Sequence, residues 1–488
     1  MHNWIWFVIG IYGIAMLFIF FYSIIQLSLL INYKRSKLKF KRESDESFEI
    51  PHVLVQLPVY NEFYVVERLI DAAANLNYPK EKLEIQLLDD STDESFELAK
   101  KRIEYWQMQG LNIQQIKRPE RTGFKAGALQ HGLSLCSAPF IAIFDADFIP
   151  GPEFLNRTIS HFKDSKIGMV QTRWEHLNRN YSLLTKVQAF ALDAHFTVEQ
   201  TGRNAGAHFI NFNGTAGVWR RECIIDAGGW SADTLTEDLD LSYRAQLKGW
   251  KFQFLEEVGS PAELPAEMNA LKNQQYRWNK GAAECAVKHL KEVITSKRIP
   301  FSTRVHAFFH LLNSSIFLWI VLCAVLSLPL VIIKEMHPEL KALFYLGSIL
   351  LLSFLVLALF YYASFREMEK SKNRAKFFWL YPAFLSISMG MSLHNARAVI
   401  LGYSGKRTPF IRTPKWNLIG NTGSFTNKNY LTTKIPVITW FEGLFCLYFV
   451  GALVFEVAIG AWGFVPLHLM LIFGFASVFS YSFKHGRN

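Results

Sequence analysis

The chain has 488 residues, of which 50% are hydrophobic and 15% aromatic, and it carries a formal net charge of +11. Its apolar residues are gathered into long runs, which a purely soluble globular chain does not explain. The cysteines, Cys136, Cys223, Cys285, Cys323 and Cys446, are odd in number and lack metal-ligand spacing, which excludes a disulfide framework and a cysteine-bound metal centre.

The first run, residues 4–31, is long enough to cross a bilayer. No basic residue precedes it and no small-residue cleavage site follows it, so residues 1–33 read as a retained anchor. Lys34, Arg35, Lys37, Lys39, Lys41 and Arg42 come next, which makes that side cytoplasmic by the positive-inside rule. A juxtamembrane basic cluster suits an anionic leaflet, and no nucleic-acid-binding module accompanies it.

After the charged linker at 41–49, residues 50–304 show short apolar runs alternating with helix-period stretches, which is the order of an α/β domain. A first strand is expected over 52–57. Val65, Val66, Leu69, Ile70 and Ala73 then recur at helical spacing as one buried stripe. A second strand over 83–88 ends in Asp89 and Asp90. It leads into a helix with Phe96, Ala99, Ile103 and Trp106 on one face. Next comes a glycine-flanked lysine, Lys125 between Gly123 and Gly127, at an expected helix start. Backbone N–H groups and an ammonium at such a place suit a diphosphate, and a glycine turn with a solvated lysine is the plainer alternative.

Residues 140–144 are five apolar residues in a row, read as a strand of a parallel sheet covered on both faces by helices. Asp145 and Asp147 follow at its carboxyl end. Alternate positions point the same way, so two carboxylates there can share a divalent cation, and a solvated turn is the competing reading. Two strands that end in acids fit a nucleotide-binding crevice better than two coincidental turns.

The stretch 208–220 is a polar, glycine-containing insert expected to form a pocket wall. Thr236, Glu237 and Asp238 open a helix continued by Leu241, Ala245 and Lys248, where acids are favoured in any case by the helix dipole. A further helix is expected over 263–278, with Gln274, Arg277 and Trp278 on one face. Arg beside Trp suits a sugar diphosphate and a stacked sugar ring, and also suits a helix lying on a membrane.

Residues 305–488 read as membrane region, with spans expected at 311–333, 342–362, 437–461 and 464–481. The run 377–400 carries Pro382, His394, Asn395 and Arg397. If it crossed, the basic stretch after it would face outside, so it is read as interfacial or re-entrant. That gives five spans in all and a cytosolic loop at 402–434 lying near the active site.

In this order, PVYNE (58–62), DDSTD (89–93), DAD (145–147), TED (236–238) and QQYRW (274–278) resemble a family 2 glycosyltransferase over roughly residues 50–300. The QQYRW element with flanking spans is similar to the cellulose synthase superfamily. FNGTAG, AGGW and LKGWKF are most similar to cellulose-synthase-like β-mannan or glucomannan synthases. Cellulose synthases proper carry Cys-Gly-Ser where Asn213, Gly214 and Thr215 stand here. The stretch FIRTPKW (410–416) occupies the position of those synthases' gating loop without its Val-Thr core.

The resemblance implies an α/β GT-A (Rossmann-like) cytosolic domain with an all-α transmembrane region. It implies transfer of a hexose, with inversion, from a UDP- or GDP-sugar to a growing β-linked glycan that leaves through the protein's own spans. By resemblance Asp238 is the base, with Glu237 beside it, and Asp145 and Asp147 hold Mg²⁺ or Mn²⁺ and the diphosphate. Tyr60, Glu62 and Asp90 line the nucleoside site, and Lys125, Gln274 and Arg277 contact phosphates. Trp278 stacks on the acceptor, with Asn213, Gly214 and Thr215 in the acceptor pocket. The expected partners are the donor, a glycan acceptor and the bilayer, with no nucleic acid. A lipid glycosyltransferase shares most of these motifs. A transporter or receptor with an inert domain would explain the spans but neither the intact acids nor the lack of an inverted-repeat signature.

Overall fold

The computed structural model describes residues 3–38, 49–369, 373–406, 408, 410–425, 430 and 435–486. Lys39, Lys41, Arg42 and part of the 402–434 loop lie outside them.

Among the described residues, seven strands form one sheet: β1 (Val53–Val59), β2 (Leu83–Asp89), β3 (Ile113–Ile116), β4 (Phe140–Ile143), β5 (Ile167–His176), β6 (Gly217–Arg220) and β7 (Lys251–Ala262), in the order β3-β2-β1-β4-β6-β5-β7. The central strands β1 and β4 are continuous apolar runs because helices cover both faces; Val53, Leu54, Val55, Leu57 and residues 140–143 are all buried. The pairings β3-β2-β1-β4 are parallel, as the run at 140–144 leads one to expect. The expectation fails beyond β4, where β6 lies antiparallel to both β4 and β5. This reversal matters for the site. An antiparallel strand has its amino end where its neighbours have their carboxyl ends, so the segment leading into β6 arrives beside the acids that follow β1 and β4.

The strand order turns back on itself between β1 and β4, and open α/β sheets bind ligands at the carboxyl ends of strands at such a point. Val59 pairs with Asp89 and Gln56 with Ile143, so the residues after β1, β2 and β4 emerge side by side. The helix Val66–Ala74 buries the expected stripe of Val66, Leu69, Ile70 and Ala73. The helix expected over 263–278 begins later, at Met268, and runs to Thr295. Pro265 and the extended Glu267 delay its start, since proline offers no N–H to a helix interior.

Among the described residues, five helices are long and apolar enough to cross a membrane: Asn3–Lys37, Asn313–Met336, Pro338–Met368, Val437–Ile459 and Val465–His485. They fit a membrane region at both ends of the chain. The first helix outruns the expected anchor, and its last turn docks on the α/β domain through Lys37, which pairs with Glu256 at 2.9 Å. The stretch 377–400 is two helices, Ala375–Gly390 and Ser392–Tyr403, separated at Met391. The first has 16 residues and contains Pro382, against the roughly 20 that a span needs. It packs closely on Val465–His485. A Cβ on Gly474 would stand 1.9 Å from the carbonyl oxygen of Ser386, so only glycine fits there.

Candidate active site

The residues that follow the strands meet in one cleft of about 1360 Å³, counting its open mouth. Tyr60 and Glu62 reach it from the end of β1, Asp90 from β2, and Asp145 and Asp147 from β4. Lys125 enters from the first turn of the helix Phe124–Ser134, whose amino cap is Gly123 at φ +71°. Asn213 and Gly214 come from the segment before β6, and Glu237 and Asp238 from the first turn of the helix Glu237–Leu247. Gln274, Arg277 and Trp278 project from the helix Met268–Thr295. Thr215, expected to touch an acceptor, does not line the cleft. It is fully buried, and its hydroxyl accepts a hydrogen bond from the Asp145 N–H at 2.8 Å, because the antiparallel run of β6 sets it behind the acids.

Lys125 ties the acids together. Its Nζ donates to Asp145 Oδ1 at 2.5 Å and to the Gly214 carbonyl at 2.8 Å, and lies 3.9 Å from Glu237 Oε1. Burial opposes its charge, but Asp145 and Glu237 outweigh burial and hold its pKa above the ordinary lysine value. Burial, with the neighbouring Glu237 carboxylate adding to it and Lys125 opposing, pushes Asp238 up to about 7. Glu237 is itself raised, by burial first. Gly214 sits at φ +78°, where a Cβ would stand 3.0 Å from Asp238 Oδ2. The glycine therefore serves both a left-handed turn and the space around that carboxylate.

The segment 410–416 folds into the same cleft. Lys415 Nζ donates to Asp147 Oδ2 at 2.8 Å, and Arg412 pairs with Glu62 Oε1 at 3.2 Å while donating to the Tyr60 carbonyl at 3.0 Å. Arg277 donates to the Ile411 carbonyl at 2.9 Å and to Thr413 Oγ1 at 3.1 Å, with its guanidinium 4.8 Å from the Phe410 ring centre. At the Tyr60 and Asp90 end of the cleft, both oxygens of Asp90 are taken by Arg118, at 3.0 and 2.5 Å, and the Arg121 guanidinium lies 3.4 Å over the Tyr60 ring. Arg412, Thr413, Lys415, Arg118 and Arg121 were not named as site residues from the sequence. For Arg118 and Arg121 the signal was the basic character of RPERTG just ahead of Lys125; for the others only the position of the 410–416 stretch pointed here.

The donor set fits a hard divalent cation. Asp145 and Asp147 supply two carboxylates, and Glu62 Oε2 is buried without a hydrogen-bond partner among the described residues. Burial pushes Glu62 up to about 8 in spite of Arg412 and Lys415, with Asp147 and Asp145 adding to the rise. Among the described residues no group of three or more acids, histidines or cysteines forms a protein-only metal cage. Mg²⁺ needs none, since it takes one or two carboxylates and fills its shell with water and phosphate oxygens.

Residues 51–281 match the family model described as glycosyltransferase like family 2. Glucomannan 4-beta-mannosyltransferase 7 of Arabidopsis thaliana is 33% identical over 450 residues, covering 88% of this chain and 77% of that protein. Glucomannan 4-beta-mannosyltransferase 2 of the same plant is 36% identical over 394 residues, covering 78% and 71%. Among solved structures, a mannosyltransferase from Pyrobaculum calidifontis in complex with GDP-Man and Mn²⁺ superposes with a TM-score of 0.56 at 17% identity, over 81% of this chain and 100% of that one. At that identity the likeness is one of fold, and the fold is the mixed GT-A sheet.

Proposed function

This chain belongs to glycosyltransferase family 2 and is a hexosyltransferase, and on that premise we propose that it extends a β-linked mannan or glucomannan from a nucleoside-diphosphate sugar, with inversion. The named relatives are mannosyltransferases, which favours mannose as the hexose. The observation that carries the reading is the placement of Asp238, a carboxyl near 7, in one cleft with Lys125, Asp145 and Trp278.

In this reading the nucleoside lies along Tyr60, Glu62 and Asp90, and the diphosphate lies against Lys125, Gln274 and Arg277. Asp145 and Asp147 would hold Mg²⁺ or Mn²⁺, which when bound supplies charge stabilisation to the departing diphosphate. The acceptor sugar stacks on Trp278 and reaches past Asn213 and Gly214. Asp238 takes the proton of the acceptor hydroxyl as that oxygen bonds to the anomeric carbon. The bond from that carbon to the diphosphate breaks on the opposite face, and the leaving group carries the electron pair away. A base poised near neutral pH is matched to this transfer. Glu237 keeps Asp238 basic, and Thr215 holds the Asp145 backbone in place. The catalytic domain is assigned to the cytosolic side, with the product leaving between the apolar helices. Incubating the membrane-embedded protein with single GDP- and UDP-sugars, then separating polymeric from lipid-extractable product, tests this reading.

A further inference from the structure

One stretch of the helix Met268–Thr295, residues 280–285, grips two segments at once. The Lys280 side chain is only 1% exposed, and its Nζ meets Glu284 Oε1 at 3.1 Å and donates to the Thr408 hydroxyl at 2.7 Å. The spacing of four residues sets Lys280 and Glu284 on one helix face. The other carboxylate oxygen, Glu284 Oε2, accepts the backbone N–H of Leu235 at 2.8 Å, three residues before Asp238. A continuous line of polar contacts therefore runs from Thr408 through Lys280 and Glu284 to the segment that opens the helix Glu237–Leu247.

That helix start is held from outside rather than by its own cap. A threonine just before a helix ordinarily accepts an N–H of the first turn through its hydroxyl. Thr236 stands there and makes no such bond; its Oγ1 faces Cys285 Sγ at 3.5 Å instead. Gly281 permits the approach, because an added Cβ would stand 2.5 Å from Thr236 Cγ2 and 2.9 Å from its Cβ. The second segment is seated by another glycine. Gly402 lies in the last turn of the helix Ser392–Tyr403, where an added Cβ would stand 2.6 Å from the Lys280 carbonyl oxygen. Arg277, one turn earlier, already holds the same segment at Ile411 and Thr413.

We propose that Lys280 and Glu284 are positioning residues for the transfer step, through which the docked 408–416 segment fixes the turn that aims Asp238 at the acceptor hydroxyl. This rests on the reading of Asp238 as the base. Neither residue lines the cleft, so each acts through the backbone of 235–238. A buried ammonium is tolerated only while its partners remain, so loss of the Thr408 contact is felt at Glu284 and, through it, at Leu235. A reacting group displaced by about 1 Å costs about 10²-fold in rate, while the donor's own contacts stay as they were.

The test uses the full chain in nanodiscs with GDP-mannose and Mn²⁺, measuring kcat for polymer formation and, separately, affinity for GDP by calorimetry. Lys280→Met keeps the aliphatic stem and removes the charge. Its kcat should fall about ten- to a hundredfold, with GDP affinity within about twofold of wild type. Thr408→Val should act in the same direction, and the double variant should be no slower than Lys280→Met alone, since links of one chain are not additive. Glu284→Gln keeps the size and an oxygen for the Leu235 N–H but no charge for Lys280. It should lower kcat with GDP affinity kept, and it carries the comparison, alone and with Thr408→Val, if Lys280→Met does not fold. Wild-type kcat in both Lys280→Met and Glu284→Gln, effects that multiply in the double variant, or GDP affinity that falls in step with kcat overturns the proposal. If Asp238→Asn is inactive in the same assay, the base reading survives that failure; if Asp238→Asn turns over like the wild type, both fall.

Discussion

Lys415 Nζ donates to Asp147 Oδ2 at 2.8 Å across a sequence separation of 268 residues. Asp145 is held in the same way by Lys125, so each carboxylate of the Asp-x-Asp pair is paired with an ammonium. Asp147 is only 4% exposed, and a buried carboxylate left without a partner is strongly unfavourable. The lysine from the 410–416 segment thus stands where a divalent cation and its diphosphate would satisfy the same oxygen.

Competition for that oxygen has a measurable consequence. Asp147→Ala should weaken donor binding, because a divalent cation held by Asp145 and Asp147 would lose one of its two carboxylates. Lys415→Met should instead lower the Mn²⁺ concentration needed for half-maximal turnover. Calorimetric donor titrations at several Mn²⁺ concentrations check both. Unchanged donor affinity in the first variant, or a raised Mn²⁺ requirement in the second, contradicts the competition.

On the proposed mechanism Asp238→Asn should remove transfer while sparing the donor, since the base proposed there acts on the acceptor hydroxyl and the variant keeps its size. Loss of a general base lowers rates by about 10² to 10⁴. Single-turnover rates and nucleotide binding, measured on the same preparation, separate the two effects. Turnover near that of the wild type would remove Asp238 from the mechanism.

The pH profile carries its own sign. Asp238 accepts a proton only when ionised, and its carboxyl is held up to about 7, so kcat/KM should fall as pH drops below about 7 and level off above it. Burial is the first cause of that rise and the Glu237 charge the second. Glu237→Gln should therefore move the acidic limb to lower pH without restoring an ordinary carboxylate value. A limb that stays in place in this variant would contradict the coupling.

Topology follows from the docking of the 410–416 segment in the cleft. Cysteines introduced at Ser404 and Thr422 should resist membrane-impermeant thiol reagents applied to intact cells and react after permeabilisation. Labelling from outside would mean that the 375–403 segment crosses the bilayer.

The strands and their acids were legible because fully buried parallel strands leave unbroken apolar runs, and 140–144 ends abruptly in Asp145 and Asp147. The first turn at Glu237 and the face shared by Gln274, Arg277 and Trp278 were legible from helical spacing. The antiparallel course of β6 was not, because four residues, GVWR, carry no direction. Nor were the contacts of Arg412 and Lys415, which depend on a return of the chain across more than 260 residues and leave no local period. Trp174 and His176, which also line the cleft, were not named from the sequence either, since a slip of the ladder against β7 just before them leaves no local signal.

The most direct measurement is the chemical nature of the product formed by the full-length protein in membranes from labelled GDP-mannose with Mn²⁺. We expect a polymer that stays out of organic solvent and that endo-β-1,4-mannanase cuts to short oligosaccharides, with Trp278→Ala giving shortened chains or none while donor hydrolysis continues. A product that partitions wholly into organic solvent as a lipid bearing one sugar would contradict the account.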